Sequence, residues 1–443
     1  MIELAPPTFE QWLRKVDAIR LYESLGRVVQ VVGLVVESQG PSARIGDVCY
    51  IERSDGSDTI PAEVVGFRNS RLLLMPLSPM KGVRAGDLVR SSGACLHVPV
   101  GRELLSRVLD GLGRPMDEGG PLHPPIRYPV IAAPPHPLDR QLIERPFVTG
   151  VRVLDGCLTI GVGQRVGIFS GSGVGKSTLL GMVARNGQAD VNVIALIGER
   201  GREVREFLES DLGAEGRARS VVVVATSDEP ALVRIKAALS ATAIAEFFRD
   251  QGLDVLLMMD SVTRFAMAQR EVGLAIGEPP STKGYTPSTF ALLPQLIERA
   301  GCAKSGSITA VYTVLVEGDD TAEPIADAAR SILDGHIVLD RSLTERGHYP
   351  PVDVLQSVSR VMPTIASPEH LAASNALREL IAAHREVQDL VAIGAYQAGT
   401  QPVADRALER WDQILAFLRQ RKDEEGEWSQ TLQQLRALSH EEV

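Results

Sequence analysis

The apolar positions of this chain change their pattern three times, and each change marks a region of different architecture. Residues 8–20 set Phe9, Trp12, Leu13, Val16 and Ile19 at helical spacing with charges between them, which predicts one amphipathic helix. Such a helix either packs on its own domain or docks a partner, and periodicity is compatible with both. From about residue 26 to 90 the texture becomes short β-branched runs at 28–36, 48–52, 63–67 and 72–75, separated by turns such as Ser54-Asp55-Gly56 and Arg84-Ala85-Gly86-Asp87. Regularly spaced short strands of this kind predict a small closed barrel. Proline-rich sequence over 115–146 then reads as an extended connection. Beyond it, continuous apolar runs at 166–169, 191–197, 220–225, 254–259, 307–316 and 336–339 alternate with helical patterns. Runs apolar at every position belong to a mostly parallel sheet covered on both faces. From about residue 367 the chain is helical and charge-rich. The expected organisation is an N-terminal helix over 1–25, a β-barrel over 26–92, an α/β domain over 93–366 and a C-terminal helical domain over 367–443.

One junction in this pattern carries chemistry. The apolar run 166–169 leads into Ser170-Gly171-Ser172-Gly173-Val174-Gly175-Lys176-Ser177 and then the helix-forming run 178–185, opening with Thr178. Strand, glycine loop and helix start are the context of a phosphate-binding loop, so the α/β domain is expected to be a P-loop NTPase core. The glycines let consecutive backbone N–H groups converge on phosphate oxygens, and the helix start adds about half a positive charge. Lys176 is placed to reach the β- and γ-phosphates, and the Ser177 hydroxyl to ligate Mg²⁺. Ser170 stands where the usual pattern has glycine, a small residue that leaves the loop intact.

Two acids complete the expectation. The run 254–259 ends in Asp260, and a carboxylate at the end of a buried strand can hold the Mg²⁺ shell beside the loop. Glu199 directly follows another strand, in Gly198-Glu199-Arg200-Gly201-Arg202-Glu203. Strand ends of open α/β sheets are where ligands bind, so Glu199 is placed to polarise water and Arg200 to contact a γ-phosphate. Arg202 and Glu203 read as a structural ion pair.

Composition narrows the partners. Hydrophobic residues make up 44% of the 443 positions and charged residues 23%, with a net charge of −10. The acidic balance and the aromatic-poor barrel give no footprint for nucleic acid, so none is expected. The four cysteines, Cys49, Cys95, Cys157 and Cys302, are scattered without metal-ligand spacing and read as reduced thiols of a cytoplasmic protein. The N-terminal residues lack the basic flank and apolar core of a signal peptide, and the run 28–36 is too short to cross a bilayer.

The stretch Pro350-Pro351-Val352-Asp353-Val354-Leu355-Gln356-Ser357-Val358-Ser359 resembles the signature of the α/β-subunit family of rotary ATP synthases and their relatives. Within that family the chain looks most like the flagellum-specific and type III secretion ATPases. The closer likeness rests on Ile197-Gly198-Glu199-Arg200-Gly201-Arg202-Glu203-Val204, on Gly277-Glu278-Pro279-Pro280-Ser281-Thr282-Lys283-Gly284-Tyr285-Thr286-Pro287-Ser288 and on Val316-Glu317-Gly318-Asp319-Asp320. The resemblance implies ATP hydrolysis that powers flagellar protein export, with virulence-type secretion as the alternative. It makes Glu199 the water-activating glutamate, Arg360 an arginine finger reaching the neighbouring subunit's site, and Tyr349 the residue on which adenine stacks. One chain carrying both Glu199 and Arg360 implies a homo-oligomeric ring, by resemblance a hexamer. The implied partners are a stator-like regulator at the N-terminal helix, a central stalk protein, export chaperone–substrate complexes and a membrane export gate. That places the protein in the cytoplasm, peripheral to the inner membrane at the export apparatus. The stretch Ala395-Tyr396-Gln397-Ala398-Gly399-Thr400-Gln401-Pro402 lacks the acids of the synthase catalytic subunit's rotor loop. That departure weighs against a subunit of a proton-driven synthase, as the acidic balance weighs against a hexameric RNA-translocating motor.

Overall fold

A computed structural model of the chain describes residues 24–54, 56, 58–122, 124, 126–316 and 323–439. The segment 8–20 and most of the stretch 316–320 lie outside the described residues. Internal contacts divide the chain into two compact units, with the break between Leu96 and His97.

In the first unit six strands close into a barrel: β1 Leu25–Val32, β2 Val35–Gln39, β3 Asp47–Glu52, β4 Ile60–Arg68, β5 Arg71–Pro76 and β6 Leu88–Cys95. Their order is β1-β2-β5-β4-β3-β6, every pair antiparallel. Alternate side chains fill the interior, among them Val36, Ile51, Val64, Leu74 and Val89. The apolar run 28–36, read from its pattern as one strand, is instead a hairpin. Gly33 takes a φ of +58°, which reverses the chain between β1 and β2 at no steric cost.

The second unit is built on a sheet of β7 Val108–Asp110, β8 Arg165–Ser170, β9 Val191–Ile197, β10 Ser220–Ala225, β11 Asp254–Asp260, β12 Ser307–Leu315, β13 Gly335–Leu339 and β14 Val352–Ser359. The order is β14-β13-β8-β12-β11-β9-β10-β7, with the short strand Gly301–Cys302 attached to β12. All neighbours along this path are parallel except β13 and β14. The expected parallel sheet is therefore observed, with two strands that hydrophobic pattern did not announce. β7 is only three residues long, and β14 runs antiparallel through the signature segment.

Helices cover both faces, which is why β9 and β10 are buried at every position. On one face α1 (Lys176–Asn186) sets Leu179, Leu180 and Val183 against Ile168, Ile194 and Met258 of the sheet. On the other, α2 (Ala231–Asp250) packs across β9, β10 and β11, and beside α3 (Val262–Ile276). Each of these buried aliphatic side chains contributes about 1.5–3 kcal/mol. The C-terminal helices α4 (Pro368–Ala392), α5 (Pro402–Leu418) and α6 (Trp428–Ser439) join the α1-side core through Leu377, Ile381, Ile414, Phe417 and Leu435. Ser367 caps α4 by accepting from the His370 amide at 3.2 Å, and Pro368 occupies its first position. Among the described residues no helix is long and apolar enough to cross a membrane.

Candidate active site

The site lies at the C-terminal edge of the parallel sheet, where β8, β12, β11 and β9 end side by side. β8 ends in Ser170 and the chain turns through the glycine loop into α1. Gly173 and Gly175 sit at φ +75° and +96°, in the left-handed region where side-chain-bearing residues are strained. Among the described residues no side chain caps the start of α1, so its first N–H groups are left for a ligand. Ser177 is exposed in that first turn, and Thr178 follows it.

Lys176 leaves the loop and meets both acids. Its Nζ lies 2.5 Å from Asp260 Oδ1 and 3.6 Å from Glu199 Oε1. Asp260 is 4% exposed, and its Oδ1 also accepts a hydrogen bond of 2.7 Å from Thr313 Oγ1. β12 lies between the loop strand and β11, so a mid-strand threonine fixes the carboxylate. Burial disfavours the lysine's charge, but the neighbouring Asp260 and Glu199 outweigh it and hold its pKa above the ordinary value.

Glu199 is the perturbed group of the site. Burial pushes its carboxyl up to about 7, the charge of Asp260 acts in the same direction, and Lys176 acts against both. A hydrogen bond with Glu203 adds to the rise. For Glu203 itself burial is outweighed by that bond and by Arg200, so its pKa is lowered and the proton of the pair rests on Glu199. A carboxyl poised near neutrality at a strand end can take a proton from an attacking water.

Arg200 is turned outward, its side chain 76% exposed, and pairs with Glu203 at 3.0 Å. Arg202 pairs with Glu206 at 3.5 Å. Another arginine, unmarked by any motif, faces Glu199 instead. Arg264 in the first turn of α3 packs on Gly198, where a Cβ would fall 3.0 Å from its own Cβ. Its charge lowers the Glu199 pKa, and its buried Nε has no hydrogen-bond partner among the described residues. The only sequence signal was its place four residues beyond the acid that ends β11.

Beside the loop opens a cavity of about 760 Å³, lined by Gly173, Thr178, Met182, Tyr349, Pro351 and Arg419 among others. Tyr349 is 46% exposed there, an open face for a planar group. The far wall is the turn between α5 and α6, which sequence reasoning did not place at the site. Gln420 ties it down: its amide donates to the Tyr349 carbonyl at 2.9 Å, and its side chain donates to the Gly150 carbonyl at 2.8 Å.

Arg360 is elsewhere. Its amide donates to the Asp334 carbonyl at 3.0 Å, and its guanidinium donates to the carbonyls of Leu333 and Arg330 at 3.2 and 3.4 Å. Asp334 in turn binds Arg165, the first residue of β8, so Arg360 sits at the edge of the sheet opposite the glycine loop.

A glycine loop opening a helix, with its lysine drawn to the acid that ends a buried strand, defines a P-loop NTPase. The chain belongs to the ATP synthase alpha/beta family: residues 150–359 match its nucleotide-binding domain, and residues 28–93 its beta-barrel domain. Residues 366–437 match the family described as T3SS EscN ATPase C-terminal domain. The flagellum-specific ATP synthase of Bacillus subtilis is 52% identical over 96% of this chain and 98% of its own. The type 3 secretion system ATPase of Xanthomonas euvesicatoria is 51% identical over 98% of both. The assembled ATPase EscN from the type III secretion system of enteropathogenic E. coli superposes with a TM-score of 0.89 at 46% identity, over 94% of this chain and all of that one. EscN has also been solved in complex with its central stalk EscO, with a TM-score of 0.87. This chain is thus a P-loop ATPase of the flagellar and type III secretion branch of that family.

Proposed function

We propose that this protein hydrolyses Mg²⁺-ATP to energise export of protein subunits through a flagellar type III apparatus, acting as a homohexameric ring. The observation that carries the chemistry is the convergence of Lys176, Asp260 and Glu199 at 2.5 and 3.6 Å beside an uncapped helix start. The backbone N–H groups of Gly171, Ser172, Gly173, Val174 and Gly175 cradle the phosphates, with those of Lys176, Ser177 and Thr178 continuing into the helix. Tyr349 stacks the adenine. Lys176 exchanges Asp260 for the β- and γ-phosphates.

The donor set fits Mg²⁺: an exposed hydroxyl, Ser177, and a buried carboxylate, Asp260, are hard oxygen donors of the kind it takes. Among the described residues no group of three or more His, Cys, Asp or Glu is arranged to hold a metal alone, so Ser177 and Asp260 would hold Mg²⁺ together with nucleotide oxygens and water. When bound, the ion neutralises charge on the β- and γ-phosphates. Glu199 orients the attacking water and takes its proton, and Arg200 reaches a phosphate by trading away Glu203. Arg360 serves the neighbouring subunit's site.

The division into a barrel over 26–92, an ATPase domain over 93–366 and a helical domain over 367–443 is part of this reading. So are a central stalk partner, a stator-like regulator on segment 8–20, chaperone–substrate complexes and a membrane-peripheral export gate. The test is direct. The purified chain should hydrolyse ATP without stimulation by single-stranded RNA, and Lys176→Ala should abolish turnover. In cells that variant should stop flagellin export. RNA-stimulated turnover, or export that survives Lys176→Ala, would overturn the reading.

A further inference from the structure

The glycine loop is gripped from outside by a segment that the catalytic reading leaves idle. The short helix Arg341–Glu345 follows β13 and precedes Tyr349. From it, Arg341 Nη2 donates to the Ser172 carbonyl at 2.9 Å, and Thr344 Oγ1 donates to the Val174 carbonyl at 3.2 Å. In a trans peptide the carbonyl and the following N–H point in opposite directions. Holding the Ser172 carbonyl therefore aims the Gly173 N–H to the opposite side of the loop, and holding the Val174 carbonyl aims that of Gly175. Both residues are glycines at positive φ, positions that adopt other conformations at little cost. The loop's own covalent structure does not fix them.

We propose that Arg341 and Thr344 are positioning residues that set the phosphate-binding N–H groups of Gly173 and Gly175 before nucleotide arrives. The grip is itself anchored. Asp340 caps the short helix by accepting from the Ser342 amide at 2.8 Å, and its own amide donates to the Pro351 carbonyl at 2.9 Å. Residues 340–351 thus touch the phosphate loop at one end and carry the base-site residue Tyr349 near the other, so one short segment sets the distance between the two halves of the nucleotide site.

This inference rests on the nucleotide-site reading, and equilibrium binding to the purified full chain separates the two. ADP and AMP are compared, because AMP lacks the phosphate that the loop N–H groups cradle. Losing one such hydrogen bond should weaken ADP about fivefold in Thr344→Val and up to about tenfold in Arg341→Ala. AMP should change less than twofold in both. KM for ATP should rise with kcat nearly unchanged. Thr344→Ser should restore ADP affinity, and Arg341→Gln, which keeps a donor without the charge, should restore it in part. Arg341→Gln matching Arg341→Ala while Thr344→Val binds normally would reduce Arg341 to a charge that attracts nucleotide, and the proposal fails. Parallel loss of ADP and AMP would show a loosened base pocket, which also overturns it. A wild-type chain that binds neither nucleotide would instead overturn the ATPase reading.

Discussion

The assignment of Arg360 to a neighbour's site makes a quantitative prediction. Arg360 is held through Asp334 to Arg165, and Arg165 lies five residues before Ser170 along β8. At roughly 3.3 Å per residue that is about 16 Å of extended strand, well beyond an arginine side chain, and its guanidinium is directed at Leu333 and Arg330 instead. It cannot serve its own loop. If it neutralises charge on a phosphoryl group in the adjacent subunit, Arg360→Ala should cost about 10³–10⁵ in kcat, roughly 4–7 kcal/mol. Glu199→Gln should lose about 10²–10⁴ of the rate. Mixing the two variants in equal amounts creates working sites wherever an Arg360→Ala subunit, with its glutamate intact, receives the finger of a Glu199→Gln neighbour. In a randomly mixed ring that is about one site in four, so the mixture should recover about a quarter of wild-type turnover after subunit exchange. Steady-state phosphate release against time after mixing is the assay, with each variant alone as its baseline. A mixture no faster than its parents, or an Arg360→Ala chain retaining more than about a tenth of wild-type rate, would refute the trans assignment.

Three further outcomes follow from two side chains. With the Glu199 carboxyl raised from 4.5 to about 7, kcat/KM should climb as pH rises towards that value and level off above it, a limb that Glu199→Gln removes along with about 10²–10⁴ of rate. In the nucleotide-free protein the same shift has the opposite sign for stability. The native carboxyl keeps a proton that the unfolded chain has released, so the melting temperature should fall between about pH 4.5 and 7 and fall less in Glu199→Gln. Ser170 Oγ is buried without a hydrogen-bond partner among the described residues, so Ser170→Ala should leave stability unchanged or raise it by up to about 1 kcal/mol, read from denaturant midpoints. A comparable loss of stability would show that the hydroxyl has a partner.

The parts of this site that sequence revealed are those in which chain neighbours are also spatial neighbours. Glycine loop, lysine and hydroxyl are contiguous over residues 170–177, and an apolar run ending in Asp260 announces a buried strand with an acid at its tip. Barrel and sheet were legible for the same reason, because alternation and continuous burial are local patterns. What was hidden depends on register and strand order. Thr313 reaches Asp260 only because β12 runs between β8 and β11, and the Gln420 turn reaches Tyr349 only because α5 and α6 pack on the nucleotide core. Neither fact has a period. Arg264 shows the limit most sharply. Adjacency placed Arg200 beside Glu199, yet the helix that begins at Gly201 turns it out to Glu203. Arg264, far along the chain, packs on Gly198 and its charge acts on the carboxyl; a Cβ at Gly198 would press on its side chain at 3.0–3.3 Å. A substituent at that glycine would therefore act on Glu199 through Arg264, and its φ of +71° adds a backbone cost of its own. The glycine before the glutamate belongs to the electrostatics of the site as much as to its turn.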